Sequence, residues 1–210
     1  VVFAKDLNLY VMSYEDYEKA VKDPEDKTIS EIALTTDGEK DFSFGMPRTF
    51  LNTDTLCDHK RKYVMGNWSP DGRYFVTTLS DQREVQDLWV INSIAKPRPT
   101  LETYKSPIVH LYLFDLENTG KRKEIRVDCF KDQIINLASK PDKERTGLTR
   151  NSIWLGDNQT FYLTRVSRDM KRVDICSYTI GEDSVKAIIE ERLNTSMETR
   201  PLAMTDNGKE

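Results

Sequence analysis

The sequence predicts an all-β fold of antiparallel strands with one short helix. Runs rich in aromatic and β-branched residues recur along the chain, and short motifs of Gly, Pro, Asp and Asn separate them. The clearest case is Trp68–Asn92, where Ser69-Pro70-Asp71-Gly72 fits a type I turn before two such runs. With 210 residues, the chain is long enough to bury a sizeable core as one domain.

The composition excludes several classes of protein. The 31 basic and 35 acidic residues give a formal net charge of −4 without a basic stripe, so we expect no nucleic-acid partner. No apolar run approaches the roughly 20 residues of a transmembrane helix, so we expect no membrane span. The cysteines are odd in number and lack metal-ligand spacing, which predicts no disulfide framework and at most one bridge.

Neither end of the chain resembles the end of a complete protein. Val1–Ala4 has none of the features of a signal peptide, and Asp206–Glu210 closes no structural element. We therefore expect the chain to be a piece of a longer protein.

Residues 1–36 predict the later strands of one four-stranded unit. Val1–Lys5 and Asn8–Met12 form a hairpin around a polar corner, and Ser30–Thr35 is the third strand. Between them, Ser13–Val21 has helical spacing, with a serine that can cap its first turn. We expect this helix to lie over the sheet on its apolar face, which is formed by Tyr14, Tyr17 and Val21.

Residues 63–139 predict a second unit. Its four strands are Val64–Trp68, Tyr74–Leu79, His110–Asp115 and Lys123–Val127. Residues 37–62, which begin with a turn at Asp37-Gly38, are irregular and predict a loop at the rim of the sheet. Residues 81–105 form an insertion, in which Pro97 and Pro99 predict a connector because proline has no amide for sheet pairing.

Residues 140–200 predict a third unit with the same plan. Its four strands are Ser152–Leu155, Thr160–Arg165, Val173–Tyr178 and Val185–Glu190. Four consecutive antiparallel strands form one blade of a β-propeller. The chain therefore predicts a propeller segment of about two and a half blades, fewer than the 4–8 blades that close a propeller.

The motifs of common enzyme classes are missing. The chain has no G-x-S-x-G, the nucleophile elbow of an α/β-hydrolase. Its nine glycines are dispersed at turns without a nucleotide-binding pattern, so we expect no cofactor. Cys57-Asp58-His59 are adjacent, and adjacent residues rarely converge on one ion, so we expect no metal site.

Histidine and tryptophan offer little catalytic or binding potential. His110 opens an apolar strand, where we expect a structural or solvent-facing role. Trp68, Trp89 and Trp154 lie near strand positions, and packing within the blades is favoured over stacking on a ligand.

Arg83 is a candidate for ligand contact. It follows a strand end in a rim loop, where its guanidinium can grip a carboxylate or a carbonyl. The favoured alternative is a surface ion pair with a nearby carboxylate, for which the candidates are Asp81, Glu84 and Asp87.

Two joined stretches carry a family resemblance. Trp68–Asn92, followed by Pro97–Lys105, resembles the N-terminal propeller of dipeptidyl-peptidase-IV-type serine peptidases of the prolyl oligopeptidase family. The stretches NLYVMS, IALTTDGEKDFSFG, VHLYLFDLE and FYLTRVSRDMKRVDICSYTIGEDSVKAIIEE extend the likeness over the whole chain.

The resemblance implies a role in proteolysis. In such peptidases the propeller caps an α/β-hydrolase domain with a Ser, Asp and His triad, and peptides reach the nucleophile through the enclosed cavity. It implies that this chain gates and orients peptides, while catalysis belongs to a hydrolase domain that this sequence does not contain. It also implies the remaining blades as partners, a homodimer of the parent protein, and a periplasmic or secreted location.

The resemblance also implies a substrate-anchoring segment at Pro47–Lys62. In the family, two glutamates in this segment clamp the free amino terminus of the peptide, which fixes its distance from the scissile bond. Here the segment contains no Glu, and Asp54 and Asp58 are its only carboxylates. Each has a side chain one methylene shorter than glutamate. With Arg83, they are the candidate substrate-binding residues.

Two alternatives remain open at this point. The chain could belong to a stand-alone propeller-type scaffold that binds another protein and has no enzymatic partner. Alternatively, the strands could form an open sheet that is not a propeller. The continuation of the reading frame would separate the first alternative from the peptidase.

Overall fold

A computed structural model describes residues 1–44, 60–85, 87–90, 98–101, 107–118, 121–137, 153–154 and 158–198. The chain forms two compact units. The first comprises Val1–Met65, Thr78–Ile108 and Asn118–Arg122, and the second comprises Gly66–Thr77, Val109–Glu117 and Lys123–Glu210.

The described residues are mostly in antiparallel strands. In chain order the elements are β1 Val2–Lys5, β2 Asn8–Val11, α1 Tyr14–Lys22, β3 Ile32–Ala33, β4 Phe42–Phe44, β5 Gly66–Trp68, β6 Tyr74–Asp81, β7 Asp87–Val90, β8 Arg98–Leu101, β9 Ile108–Asp115, β10 Arg122–Ile125, β11 Ile134–Asn136, β12 Thr160–Val166, β13 Arg172–Thr179 and β14 Lys186–Arg192. Among these residues α1 is the only α-helix, and Leu116–Asn118 forms one 3-10 turn. The predicted all-β class is confirmed, and the sheets are consistent with a partial propeller-like fold.

The first sheet has the predicted order β1-β2-β3. Its hairpin turns through Asp6 and Leu7, which both have positive φ. The side chain of Asn8 then fixes the chain beyond β3, because its Oδ1 accepts hydrogen bonds from the Thr35 hydroxyl at 3.1 Å and the Gly38 amide at 2.9 Å. This contact brings Gly38 against the backbone of Leu7.

Helix α1 forms where the sequence predicts it, but its predicted orientation is wrong. Ser13 caps the helix by accepting a hydrogen bond from the Asp16 amide at 3.0 Å. Tyr14 and Val21, which we expected against the sheet, are 67% and 65% exposed. The buried residue is Asp16, whose carboxylate is held by Lys19 at 2.8 Å, so the polar edge of the helix is turned inward.

Part of the predicted rim loop is a strand. Glu39 and Phe42 exchange backbone hydrogen bonds around Lys40 and Asp41, and β4 then pairs with β6. The chain therefore reverses at Lys40 and Asp41, after the predicted turn at Asp37-Gly38. Asp41 has a positive φ of 65° there. Residues 45–59 lie outside the described part of the chain.

The second sheet confirms the predicted succession of strands. Its order is β10-β9-β6-β4, and β5 also pairs with β6. The predicted turn joins β5 to β6, since the Gly72 amide donates to the Ser69 carbonyl at 2.9 Å and Gly72 has a φ of 75°. Strand β6 thus pairs with β5 along its first half and with β4 along its second half.

The insertion contains a strand that the sequence analysis missed. Strands β7 and β8 form a two-stranded antiparallel sheet in which Pro99 lies opposite Trp89. We expected a connector here because of the prolines. A two-stranded sheet has only edge strands, where a missing proline amide is tolerated.

The third sheet has the order β11-β12-β13-β14, with a first strand different from the predicted one. Ser152–Leu155 was expected there, but β11 pairs with the second half of β12, with Ile134 opposite Val166. Ile153 contributes a single backbone contact to the first half of β12, accepting from the Tyr162 amide at 2.9 Å. Ile153 and Trp154 are fully buried, so their apolar character reflects core packing.

The core of the second unit lies between two sheets. Residues from β6, β9 and β10 pack in one buried cluster with residues from β12 and β13. The cluster includes Val76, Leu111, Ile125, Phe161, Leu163 and Tyr178. Two sheets therefore pack face to face within this unit.

The second and third sheets repeat the same local structures. Trp68 and Phe75 lie with ring centroids 5.0 Å apart at 56°, and Trp154 and Phe161 lie 5.1 Å apart at 59°. The Ser69 turn recurs at Ser167, where each serine hydroxyl bonds the aspartate two residues on and accepts an amide five residues on. The turn precedes β6 in the second sheet and follows β12 in the third, so the two sheets share local structures at different corners.

Met170→Gly should stabilise the chain. Met170 occupies the position of Gly72 in the second copy of the turn, with a φ of 59° that costs an L-residue about 1 kcal/mol. Because Met170 is partly buried, the gain should be somewhat smaller, about 2 °C in melting temperature. Thermal unfolding followed by circular dichroism measures it. The control Lys171→Gly, next in the chain and without positive φ, should lower the melting temperature.

Candidate functional site

Arg83 lies just beyond the end of β6, at the base of the insertion. Its Nε and Nη2 donate to the two carboxylate oxygens of Asp81 at 3.0 and 2.7 Å, and its Nη1 donates to Glu39 at 2.8 Å. The guanidinium also lies over the ring of Phe42, 4.1 Å from the centroid. The predicted ion pair with Asp81 is therefore present, and Glu39 is an additional partner.

The electrostatics of this group favour a neutral ligand. The hydrogen bonds that Arg83 donates to Asp81 and Glu39 raise its pKa, so it stays charged at any physiological pH. Two carboxylates against one guanidinium leave a local excess of negative charge, which repels a further carboxylate. A guanidinium has five N–H donors, and three are used here, so a peptide carbonyl is the acceptor that fits.

The contact with Glu39 could not be found in the sequence. Glu39 and Arg83 are 44 positions apart and meet only because β4 pairs with β6. The sequence analysis placed Glu39 in a loop. The only local signal for the pairing of β4 with β6 is the strand-like pattern of Phe42–Phe44. Three residues are too few to predict a strand.

Asp54 and Asp58 lie outside the described residues, as does Cys57-Asp58-His59. The structure does describe the chain on both sides of this segment. Before it, β4 pairs with β6. After it, Lys62 exchanges two backbone hydrogen bonds with Ala4 at 2.8 and 2.9 Å, and Arg61 binds Glu31 at 2.6 Å. Both ends of the segment are therefore fixed within the first unit.

The other predicted positions have structural contacts. Trp154 packs in the core against Phe161, which confirms a packing role for this residue. His110 is partly exposed in β9, with its Nδ1 2.7 Å from the carboxylate of Glu124. The side chain of Trp89 is outside the described part of the chain.

The described residues contain neither a candidate membrane-spanning helix nor a candidate metal-binding cluster. No helix in them is long and apolar enough to cross a membrane. Within the same residues, no three side chains of His, Cys, Asp or Glu are grouped so that they could hold a metal ion.

These features define an antiparallel β-sheet protein with repeated, face-to-face sheets and a guanidinium at the base of an insertion. Residues 1–202 match the family model described as the dipeptidyl peptidase IV (DPP IV) N-terminal region. The chain belongs to this family, and the resemblance found in the sequence is confirmed.

Two solved structures are similar to this chain. One is a protein assigned as a dipeptidyl aminopeptidase IV from Bacteroides ovatus, with a TM-score of 0.61, 17% identity and coverage of 97% of this chain. The other is dipeptidyl peptidase 4 from Porphyromonas gingivalis, with a TM-score of 0.60, 14% identity and coverage of 93%. The chain spans 24% of the length of each. No curated protein sequence matches.

Proposed function

We propose that this chain is the non-catalytic propeller portion of a dipeptidyl-peptidase-IV-like serine peptidase. It gates and orients peptide substrates for an α/β-hydrolase domain that lies outside this sequence. The observation that carries the proposal is the family match over residues 1–202. The parent protein acts in the periplasm or outside the cell, and a homodimer is its assembly.

The repeated sheets support the propeller. A propeller needs successive four-stranded sheets that pack face to face. The sheets of the second unit pack in this way and share a turn and an aromatic pair. In this proposal they are two successive blades.

Arg83 has the chemistry of a peptide contact. Its guanidinium is already held in place by Asp81 and Glu39, so the Arg83 side chain loses little further entropy when a ligand binds. Its remaining donors suit a backbone carbonyl of the substrate. Asp54 and Asp58 supply the negative charge for the amino terminus of the peptide, within a segment whose two ends are fixed.

The anchoring role predicts a loss of substrate affinity in the complete peptidase. Of Asp54→Asn and Asp58→Asn, the variant at the position that holds the substrate amine should raise KM for a free-amine Xaa-Pro anilide by about tenfold to a hundredfold, because a charge-assisted hydrogen bond contributes about 1.5–3 kcal/mol. The measurement is steady-state kinetics on each variant separately. Arg83→Ala should raise KM for free-amine and N-acylated peptides alike, since its contact is to a carbonyl.

Two controls sharpen this test, and two results would contradict it. Asp183→Asn changes an exposed carboxylate paired with Lys123 and should leave KM unchanged. N-acylated substrates should not respond to either anchor variant. Unchanged KM in both Asp54→Asn and Asp58→Asn would remove these residues as anchors, and hydrolysis of the anilide by this chain alone would contradict the non-catalytic assignment.

One observation favours the scaffold as a second candidate. Strand β14 is an edge strand of the third sheet, and each of its residues is exposed. Ile188, Ile189 and the following Leu193 add apolar surface there. An exposed apolar edge of this kind accepts another strand or protein. A parent reading frame that stops without G-x-S-x-G would select this function.

A further inference from the structure

The loop before β11 places Phe130 against one end of the third sheet. Gln133 fixes this loop, because its Oε1 accepts hydrogen bonds from the amides of Cys129 and Phe130 at 3.2 and 3.1 Å. Its Nε2 donates to the Val127 carbonyl at 2.9 Å, and Arg165 donates to the same carbonyl at 3.2 Å. The ring of Phe130 is therefore held in a defined position at this end of the sheet.

Three guanidinium groups surround this ring. From its centroid, Cζ of Arg165 lies at 5.7 Å, that of Arg172 at 4.8 Å and that of Arg192 at 5.4 Å. A guanidinium is attracted to an aromatic ring at such distances. Arg172 and Arg192 are also direct partners in the pairing of β13 with β14. Because like charges directly opposite each other repel, this arrangement costs stability unless an anion offsets it.

Among the described residues, Arg172 is the one of these cations that has no carboxylate partner. Asp174 lies 2.8 Å from Arg165 and 2.7 Å from Arg192, which also pairs with Glu190 at 3.0 Å. The guanidinium of Arg172 makes no hydrogen bond or ion pair with any described residue, and its side chain is exposed. Two carboxylates therefore offset three cations, and the remaining positive charge is open to solvent.

The same stacking occurs elsewhere in the chain with a carboxylate in place. Arg83 binds both oxygens of Asp81 while it lies over the ring of Phe42. Arg73 binds both oxygens of Asp115, at 3.2 and 2.9 Å, while it lies over the ring of the next residue in the chain. A guanidinium stacked by its face keeps the donors at its edge available for a carboxylate. The cation at the end of the third sheet has the same aromatic support, and its donors are unused within the described residues.

We propose that Arg172, supported by the ring of Phe130, binds the carboxylate group of a ligand. Its parallel N–H donors match the two oxygens of a carboxylate, and the bound charge offsets the repulsion between the two opposed arginines. The carboxylate of Asp169 in the preceding turn already accepts hydrogen bonds from the Ser167 hydroxyl and the Lys171 amide. The ligand is a small carboxylate or an acidic peptide, since both carry the same group. This site goes beyond the proposed handling of peptides and does not depend on it.

NMR titration of this chain, followed through the ring signals of Phe130, tests the site. Sodium acetate is the small-carboxylate probe, and acetyl-Ala-Glu-Ala-amide is the peptide probe, with sodium chloride holding the ionic strength constant. We expect the ring signals to shift and to saturate. Equal affinity for the two probes assigns the site to small carboxylates, and tighter binding of the peptide assigns it to acidic peptides.

Two variants locate the binding at Arg172. Arg172→Gln should weaken binding of the better probe about tenfold to a hundredfold, because it removes a charge-assisted hydrogen bond. The matched control is Arg168→Gln, in the turn that precedes β13. Arg168 is exposed as well but is already paired with Asp132 at 3.3 Å, so its replacement should leave the affinity unchanged.

Three results would overturn the proposal. One is equal affinity in the unchanged chain and in Arg172→Gln, with circular dichroism showing that both are folded. Another is equal binding of acetyl-Ala-Gln-Ala-amide, which has the shape of the peptide probe without its charge. The third is the absence of a saturable shift with either carboxylate probe. Because none of these readouts involves catalysis, a peptidase assay that fails would leave this inference standing.

Discussion

Asp174→Asn should lower the free energy of unfolding by about 3 kcal/mol, because it leaves a buried guanidinium without its counter-charge. Asp174 lies fully buried in β13, where its Oδ2 accepts from Arg165 Nε at 2.8 Å. Arg192 Nη2 lies 2.7 Å from Oδ1 as an ion pair. Burial is the largest single influence and acts to lower the pKa of Arg165, but the hydrogen bond to Asp174 together with coulombic attraction from its neighbours outweighs it, so the pKa lies above its ordinary value.

Chemical denaturation measures this loss, which corresponds to a fall of about 10 °C in melting temperature. The matched control is Asp183→Asn, because Asp183 is also paired with a cation but is 79% exposed at its side chain. A surface pair contributes little, so this change should have almost no effect. The double variant Asp174→Leu with Arg165→Met should recover most of the stability, since apolar pairs replace buried ion pairs well. Equal losses in Asp174→Asn and Asp183→Asn would refute the argument.

Gly38→Ala should destabilise the first unit by about 3 kcal/mol, as overpacking against a rigid partner does. A Cβ at this position would lie 2.1 Å from the carbonyl oxygen of Leu7 and 2.6 Å from its carbon. Both are backbone atoms of the hairpin turn and cannot rotate away. Relieving the clash would also pull the Gly38 amide from the side chain of Asn8.

Gly72→Ala is the matched control for this substitution. Nothing lies within 4 Å of a Cβ at Gly72, so the change tests only its positive φ. We expect a loss of about 1 kcal/mol there, clearly smaller than at Gly38. Urea titrations of both variants compare the two. A loss at Gly38 no larger than at Gly72 would mean that the turn yields and the close approach is not a constraint.

Much of the strand content could be predicted because its signals are local. The hairpin of β1 and β2, the cap at Ser13 and the turn from Ser69 to Gly72 each depend on residues a few positions apart. The same holds for β12, β13 and β14, which follow one another through short turns. The alternation of apolar and polar residues in these strands, together with the residues of their turns, is therefore sufficient to predict them.

The missed elements depend on distant partners. Strands β4 and β11 are three residues long and exist because β6 and β12 offer them an edge. Helix α1 is oriented with Asp16 buried. An amphipathic pattern does not reveal this orientation, because it places the apolar side chains inside. The candidate site divides in the same way. Arg83 and Asp81 are neighbours in sequence, while Glu39 joins them through sheet pairing.

The sequence by itself determined the all-β class, the order of the main strands and the membership of the dipeptidyl peptidase IV N-terminal family. These follow from local alternation, turn chemistry and residue order. Tertiary structure alone decided which short segments complete each sheet, how Asp174 is neutralised and how Arg83 is engaged. Each of these features requires a contact between two segments that are far apart in the chain. The free energy that stabilises such a contact comes from burial and strand pairing between the segments, and neither segment alone predicts it.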